Sequence, residues 1–315
     1  MNRSTLAGLV LGGVVLVMGG CGDGSELAGG RPEKLVLGLV PALEADKLID
    51  NLKPLDEYLT RELGVAVESF VPQDYTGLIE ALGSGQADIA MLPPFAGMLA
   101  LERYGVETIL ISVRDGEARY RAQWMTADPA FCDEPPAPRP NGLLACAASI
   151  QKVRGKVVGF TDPTSTSGYL FPALQLIEAG INPEEDIQSV FVGSHDAAVI
   201  ALLNGDVEVA AAYDDARTYI LEEYPDIGSR VLPFAYSDWI PNDGVQVRGD
   251  LPTDVKESIK QAFLDLAREE EEIPQEERLM YRLYEIDGFV EFEPGTYDPV
   301  KRAFTEMRDK IDLDE

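Results

Sequence analysis

Short runs of β-branched and apolar residues alternate with longer stretches of helical spacing, and this alternation occurs twice along the chain. Strands separated by helices are joined by right-handed crossovers, which predicts mostly parallel sheets covered by helices on both faces. In the first round, strands are expected over 35–40, 65–71, 87–92 and 107–113, with helices over 45–63, 75–82 and 95–104. Leu48, Leu52, Leu55 and Leu59 mark one face of the longest helix. A strand over 120–126 leaves this unit, and a Pro- and Cys-bearing insertion follows. The pattern then restarts with strands over 156–160, 189–192 and 207–213 and helices over 168–179 and 196–203. The tail adds strand-like runs at 231–234 and 245–248 and amphipathic helices over 253–270 and 298–311, and is expected to return to the first unit. The expectation is an α/β fold of two lobes, 34–116 plus 235–315 and 117–234.

At 315 residues, with 45% apolar and 26% charged residues and no repeat of fixed period, the chain has the composition of a folded body with a sizeable core. Asp and Glu total 55 against 26 Lys and Arg, a net charge of -29 that repels a phosphate backbone, so nucleic acid is excluded as a partner. His195 is the only histidine, and Cys21, Cys132 and Cys146 lack metal-ligand spacing, so neither a metal site nor a cofactor is expected.

The first residues carry Arg3, an apolar stretch over 6–18, and then Gly19-Gly20-Cys21. This reads as an export signal over 1–20, since an apolar run this short falls below the roughly 20 residues that a membrane span needs. The Gly-Gly-Cys ending resembles the lipobox of bacterial lipoproteins, which implies lipidation of Cys21 and a lipid anchor to the membrane; a simple secretory signal is the alternative. Residues 21–33, rich in Gly, then form a flexible tether. In an exported protein, Cys132 and Cys146 can close a disulfide around the Pro-rich stretch 134–140, the alternative being two separate buried thiols.

The sharpest local motif is Gly159-Phe160-Thr161-Asp162-Pro163-Thr164-Ser165-Thr166-Ser167-Gly168-Tyr169, which follows a strand and opens a helix. Hydroxyl residues there cap a helix, and they also surround an anion with donors at the positive end of the helix dipole. Asp74-Tyr75 and Pro93-Pro94-Phe95-Ala96 occupy equivalent strand-to-helix junctions. In open α/β sheets, ligands bind outside the carboxyl ends of the strands, where all three junctions lie.

With the segment 75–82 and its following Gly-Gln-Ala-Asp-Ile-Ala, and with Gly193-Ser194-His195-Asp196 before a helix ending Asn204-Gly205-Asp206-Val207, these motifs resemble the phosphate, phosphite and phosphonate substrate-binding proteins of ABC transporters. The resemblance covers about 35–311 and implies a two-lobed, type II periplasmic-binding-protein clamshell, monomeric, that delivers a small phosphorus oxyanion to the transmembrane subunits of an ABC permease. It implies phosphoryl contacts from Tyr75, Tyr120, Ser165, Thr166, Ser167 and His195, with no Lys or Arg in the cluster. His195 would then be partly protonated beside a dianion. Asp214, Asp215 and Asp243 would hold the ammonium of an aminoalkylphosphonate, or else cap a helix and shape a turn. Hinge closure would run through the crossovers at 114–120 and 229–234. No covalent chemistry is implied. The competing readings are a sensory module for a membrane receptor, and a serine hydrolase built on Ser165 or Ser167, His195 and an Asp.

Overall fold

The computed structural model describes residues 32–43 and 45–310. The expected export signal over 1–20, the expected lipidation site Cys21 and the expected tether up to residue 31 lie outside the described residues. The first lobe starts with β1 (Lys34–Leu39), α1 (Ala45–Leu63), β2 (Ala66–Phe70), α2 (Tyr75–Ser84), β3 (Ile89–Leu92), α3 (Pro94–Tyr104) and β4 (Glu107–Val113). A crossover strand, β5 (Arg119–Tyr120), leads into β6 (Ala122–Thr126), and the insertion that follows carries the short hairpin β7 (Ala137–Pro138) and β8 (Leu144–Ala145). The second lobe continues with β9 (Val157–Phe160), a π-helical turn (Thr166–Leu170), α4 (Phe171–Glu178), β10 (Gln188–Phe191), α5 (His195–Asn204), β11 (Val209–Tyr213), α6 (Ile227–Arg230) and β12 (Leu232–Tyr236). The return crossover, β13 (Ile240–Pro241), pairs antiparallel with β5. The tail then rejoins the first lobe through β14 (Gly244–Val247), α7 (Thr253–Glu269), α8 (Leu279–Tyr284), β15 (Gly288–Glu291) and α9 (Asp298–Lys310).

Strand order is β15-β4-β14-β3-β1-β2 in one sheet and β10-β9-β11-β6-β12 in the other. The sheets are mixed rather than mostly parallel. β1 runs parallel to β2 and β3, and β9 runs parallel to β10 and β11. β14 enters antiparallel between β3 and β4, and β6 enters antiparallel between β11 and β12. The reason is connectivity: β6 and β14 each arrive from the other lobe, so they start at the edge where the other strands end. Both kinds of strand therefore present loop residues to the same cleft. β12 runs to Tyr236, two residues past the boundary expected at 234.

Local sequence sets the helix starts along that edge. Asp74 Oδ1 accepts the Gly77 N–H (2.7 Å) and caps α2, Ser165 Oγ accepts the Gly168 N–H (3.1 Å), and Ser194 Oγ accepts the Ala197 N–H (3.3 Å) and caps α5. Gly85 and Gly205, both at φ 76°, end α2 and α5 in the left-handed conformation that favours glycine.

Leu37, Leu48, Leu55, Ile259, Phe263 and Leu283 are buried between the first sheet and α1, α7 and α8. Another cluster joins the lobes: Leu170 and Phe171 of the second pack with Tyr75, Leu78, Phe95, Val300 and Met307 of the first. Cys132 and Cys146 form a disulfide with Cα atoms 5.8 Å apart, which closes the insertion around the β7–β8 hairpin. The bridged residues are 14 apart in sequence, so replacing both by Ser is expected to lower unfolding free energy by about 3 kcal/mol through the unfolded chain's regained freedom. Urea denaturation checks this; an unchanged midpoint would count against it.

Candidate functional site

A cavity of about 50 Å³ lies between the lobes, lined in part by Tyr75, Tyr120, Ser165, Ser167, His195 and Asp243. That volume is several times the roughly 10–15 Å³ that one water requires, and suits a small tetrahedral anion. The starts of α2, the π-helical turn and α5 contribute Tyr75, Ser167 and His195 to its wall. Helix N-termini carry N–H groups without intrahelical partners and the positive end of the dipole, so their convergence favours an anion.

The lobes are closed on each other. The His195 N–H donates to Ala42 O (3.0 Å), the Phe95 N–H to Thr166 Oγ1 (2.9 Å), and Thr218 Oγ1 to Glu285 Oε1 (3.4 Å). The Tyr75 N–H reaches Asp162 Oδ2 at 3.4 Å, while Asp162 Oδ1 accepts from the Thr164 N–H and hydroxyl.

Burial, with Asp162 and then Asp243 adding to it, holds the Tyr75 hydroxyl well above the ordinary tyrosine value. Tyr120 and Tyr284 are likewise pushed up by burial and then by Asp243. All three remain neutral O–H donors. Burial pushes the His195 imidazole down to about 4, against the opposing pull of Asp243 and Asp196. Its Nδ1 accepts the Tyr213 N–H (3.3 Å), so the proton of the neutral ring sits on Nε2. Among the protein's own groups, desolvation outweighs the nearby carboxylates and favours the neutral ring; the expectation of partial protonation concerns the ring beside a dianion. A hydrolase triad needs a carboxylate on Nδ1–H; here that position is taken by a backbone donor and Ser165 Oγ caps Gly168.

The neutral histidine has a pH signature. Between its ordinary value near 6.5 and about 4, the unfolded chain binds a proton that the native state does not, so stability falls as pH drops through that window. The loss reaches about 3 kcal/mol at pH 4. A His195→Gln chain is expected to lose that much less than the parent in urea denaturation at pH 7 and pH 4; equal losses would refute it.

Three anticipated contacts are placed elsewhere. Thr166 turns its hydroxyl to the start of α3, where it accepts the Phe95 N–H, and does not line the cavity. Asp214 and Asp215 follow β11 but face away, into an ion-pair network with the insertion. Arg139 Nη1 meets Asp214 Oδ1 at 2.7 Å and Asp215 Oδ2 at 3.0 Å, and Arg121 Nη2 meets Asp214 Oδ2 at 3.0 Å. Arg217, fully buried, forks onto Asp215 at 2.7 and 2.8 Å and donates to the carbonyls of Leu144 and Val231. Burial alone raises the Asp215 carboxyl, but Arg217, Asn141 and Arg139 outweigh it and hold it below the ordinary range.

Other lining residues were not anticipated, among them Arg114, Tyr213, Tyr219, Tyr284 and Glu285. Arg114 corrects the expectation of a cluster without Lys or Arg: its Nη2 meets Asp243 Oδ2 at 2.9 Å and its Nε donates to Tyr284 O at 2.8 Å. Burial lowers the Arg114 pKa, and Asp243 more than offsets this, so it stays charged. Arg114 and Tyr213 stand at strand carboxyl ends, the position that marked the other junctions. Tyr284 and Glu285 come from the end of α8, where no motif pointed to a site.

Two α/β lobes closed over a small donor-lined cavity define a solute-binding protein. The chain belongs to the family described as ABC transporter, phosphonate, periplasmic substrate-binding protein, which it matches over residues 37–297. It is 34% identical over 200 residues to a Mycolicibacterium smegmatis protein named phosphate-import protein PhnD, covering 60% of this chain and 58% of that one. It is 23% identical over 265 residues to the phosphonates-binding periplasmic protein of Escherichia coli, covering 84% of this chain and 75% of that one. Its fold is similar to that of PhnD1 from Prochlorococcus marinus in complex with methylphosphonate, with a TM-score of 0.73, 19% identity and coverage of 89% of this chain and 100% of that one. No helix among the described residues is long and apolar enough to cross a membrane.

Proposed function

We propose that this chain is the substrate-binding lipoprotein of an ABC importer, anchored through Cys21 outside the cytoplasm, that captures a small phosphorus oxyanion between its lobes and passes it to the permease. The observation that carries this reading is the closed cavity where three helix starts meet neutral hydroxyl donors. Tyr75, Tyr120, Ser165 and Ser167 would donate O–H groups to the phosphoryl oxygens, and His195 would donate its Nε2–H. Oriented dipoles in a water-poor cleft hold an anion without a net positive charge, and the acidic surface is screened beyond about 8–10 Å. The names of the relatives, phosphate import and phosphonate binding, support the same ligand class. For the lobes we propose 34–116 plus 237–310 and 117–236, hinged at the paired crossovers β5 and β13.

Calorimetric titration of the full chain in detergent with phosphate, phosphite and methylphosphonate, and with sulfate as a control, tests the reading. Saturation at 100 times the dissociation constant should also raise unfolding free energy by about 2.7 kcal/mol. Failure of all three phosphorus anions to bind would overturn it. Cys21→Ser is expected to move the chain from the membrane fraction to the soluble one; an unchanged distribution would remove the anchor from the proposal.

A further inference from the structure

The carboxylates around the cavity decide which phosphorus oxyanions it accepts, and most of them are held by arginines. Asp214 and Asp215 are bonded to Arg121, Arg139 and Arg217 and do not line the cavity. Asp243 lines it, but Arg114 Nη2 sits 2.9 Å away, with both side chains less than a quarter exposed. Arg114 is itself held in place: Nε donates to Tyr284 O (2.8 Å), and Nη1 lies 3.5 Å from Asn242 Oδ1. The remaining lining carboxyl, Glu285, is raised by burial, against the lowering effect of Arg114, and accepts from Thr218 Oγ1.

A ligand ammonium entering this cavity would meet a guanidinium already paired with the carboxylate it needs. It would have to displace a fixed Arg or lie beside its charge, and like charges in a desolvated site repel strongly. A plain oxyanion meets no such conflict, since Arg114 offsets the field of Asp243 that would oppose an anion. Resting on the phosphorus-oxyanion reading above, we propose that Arg114 is the specificity-determining residue of the cavity. Paired with Asp243, it sets the site for compact oxyanions without a cationic tail and against aminoalkylphosphonates.

The test is a titration of the full chain and of its Arg114→Met and Asp243→Asn variants with phosphate, phosphite, methylphosphonate and 2-aminoethylphosphonate. The parent is expected to bind at least one tail-less anion more tightly than the aminoethyl compound by about 30-fold or more. Arg114→Met should weaken the tail-less anions by about 10-fold or more and shrink that ratio, because Asp243 is left unpaired. Asp243→Asn should keep or widen the ratio, because the Arg114 charge is then uncompensated; this variant leaves the Arg114 bond to Tyr284 in place should Arg114→Met fold poorly. A parent that prefers 2-aminoethylphosphonate, or a ratio that Asp243→Asn reduces, would overturn the assignment while leaving the function intact. If no phosphorus anion binds the parent, the function itself fails.

Discussion

Replacing Arg217 by Met is expected to lower unfolding free energy by about 3–5 kcal/mol, the usual effect of removing one partner of a buried ion pair. Arg217 is fully buried, its fork bonds both oxygens of Asp215, and its Nη1 satisfies the carbonyls of Leu144 and Val231. Met fills much of the space but leaves a carboxylate that is itself 7% exposed, together with two carbonyls, short of donors. Arg139 and Asn141 still reach Asp215, which places the outcome toward the lower end of the range. Against a total of about 5–15 kcal/mol this is a large fraction of the fold's stability. Urea denaturation should show a lower midpoint at an unchanged slope, and a loss below about 1 kcal/mol would show that the network is dispensable. Asp215→Asn in the Arg217→Met chain should recover part of the loss, since it removes the stranded charge.

Gly168→Ala is expected to weaken ligand binding by about 100-fold or more, a loss of about 2.7 kcal/mol. A methyl group at Gly168 would stand 1.7 Å from Thr161 Oγ1 and 2.7 Å from its Cβ. Thr161 is fully buried at the end of β9, so the turn carrying Ser165 and Ser167 must move instead. The Ser165 cap on the Gly168 N–H breaks with that movement, and donors aimed at an anion lose strength steeply with distance and angle. Overpacking adds a stability loss of about 1–3 kcal/mol, measurable separately without ligand. Calorimetry with the ligand that binds the parent decides the matter; parental affinity in Gly168→Ala would mean that this turn does not hold the anion.

Both variants touch features that differ in how far the sequence announces them. The alternation of strand and helix patterns was legible because periodicity is local: Leu48, Leu52, Leu55 and Leu59 are all buried on one face of α1, as their spacing requires. The hydroxyl turn at 165–168 and the starts of α2 and α5 were legible for the same reason, since caps are written within three residues of what they cap. Sheet polarity was not, because β6 and β14 look like any other strand until the path between lobes is known.

The sequence by itself determined two α/β lobes, the strand ends around which the cavity lies, and several of the side chains that line it, including Tyr75, Ser165, Ser167 and His195. Only the tertiary structure decided which charges meet there. Arg114 and Asp243 pair across 129 positions of sequence, and Arg139 takes Asp214 from 75 positions away. No short-range pattern encodes such partners, because strand order and the direction in which the chain re-enters each sheet select them. The same long-range packing desolvates His195 and keeps it neutral, which its sequence neighbours alone did not indicate.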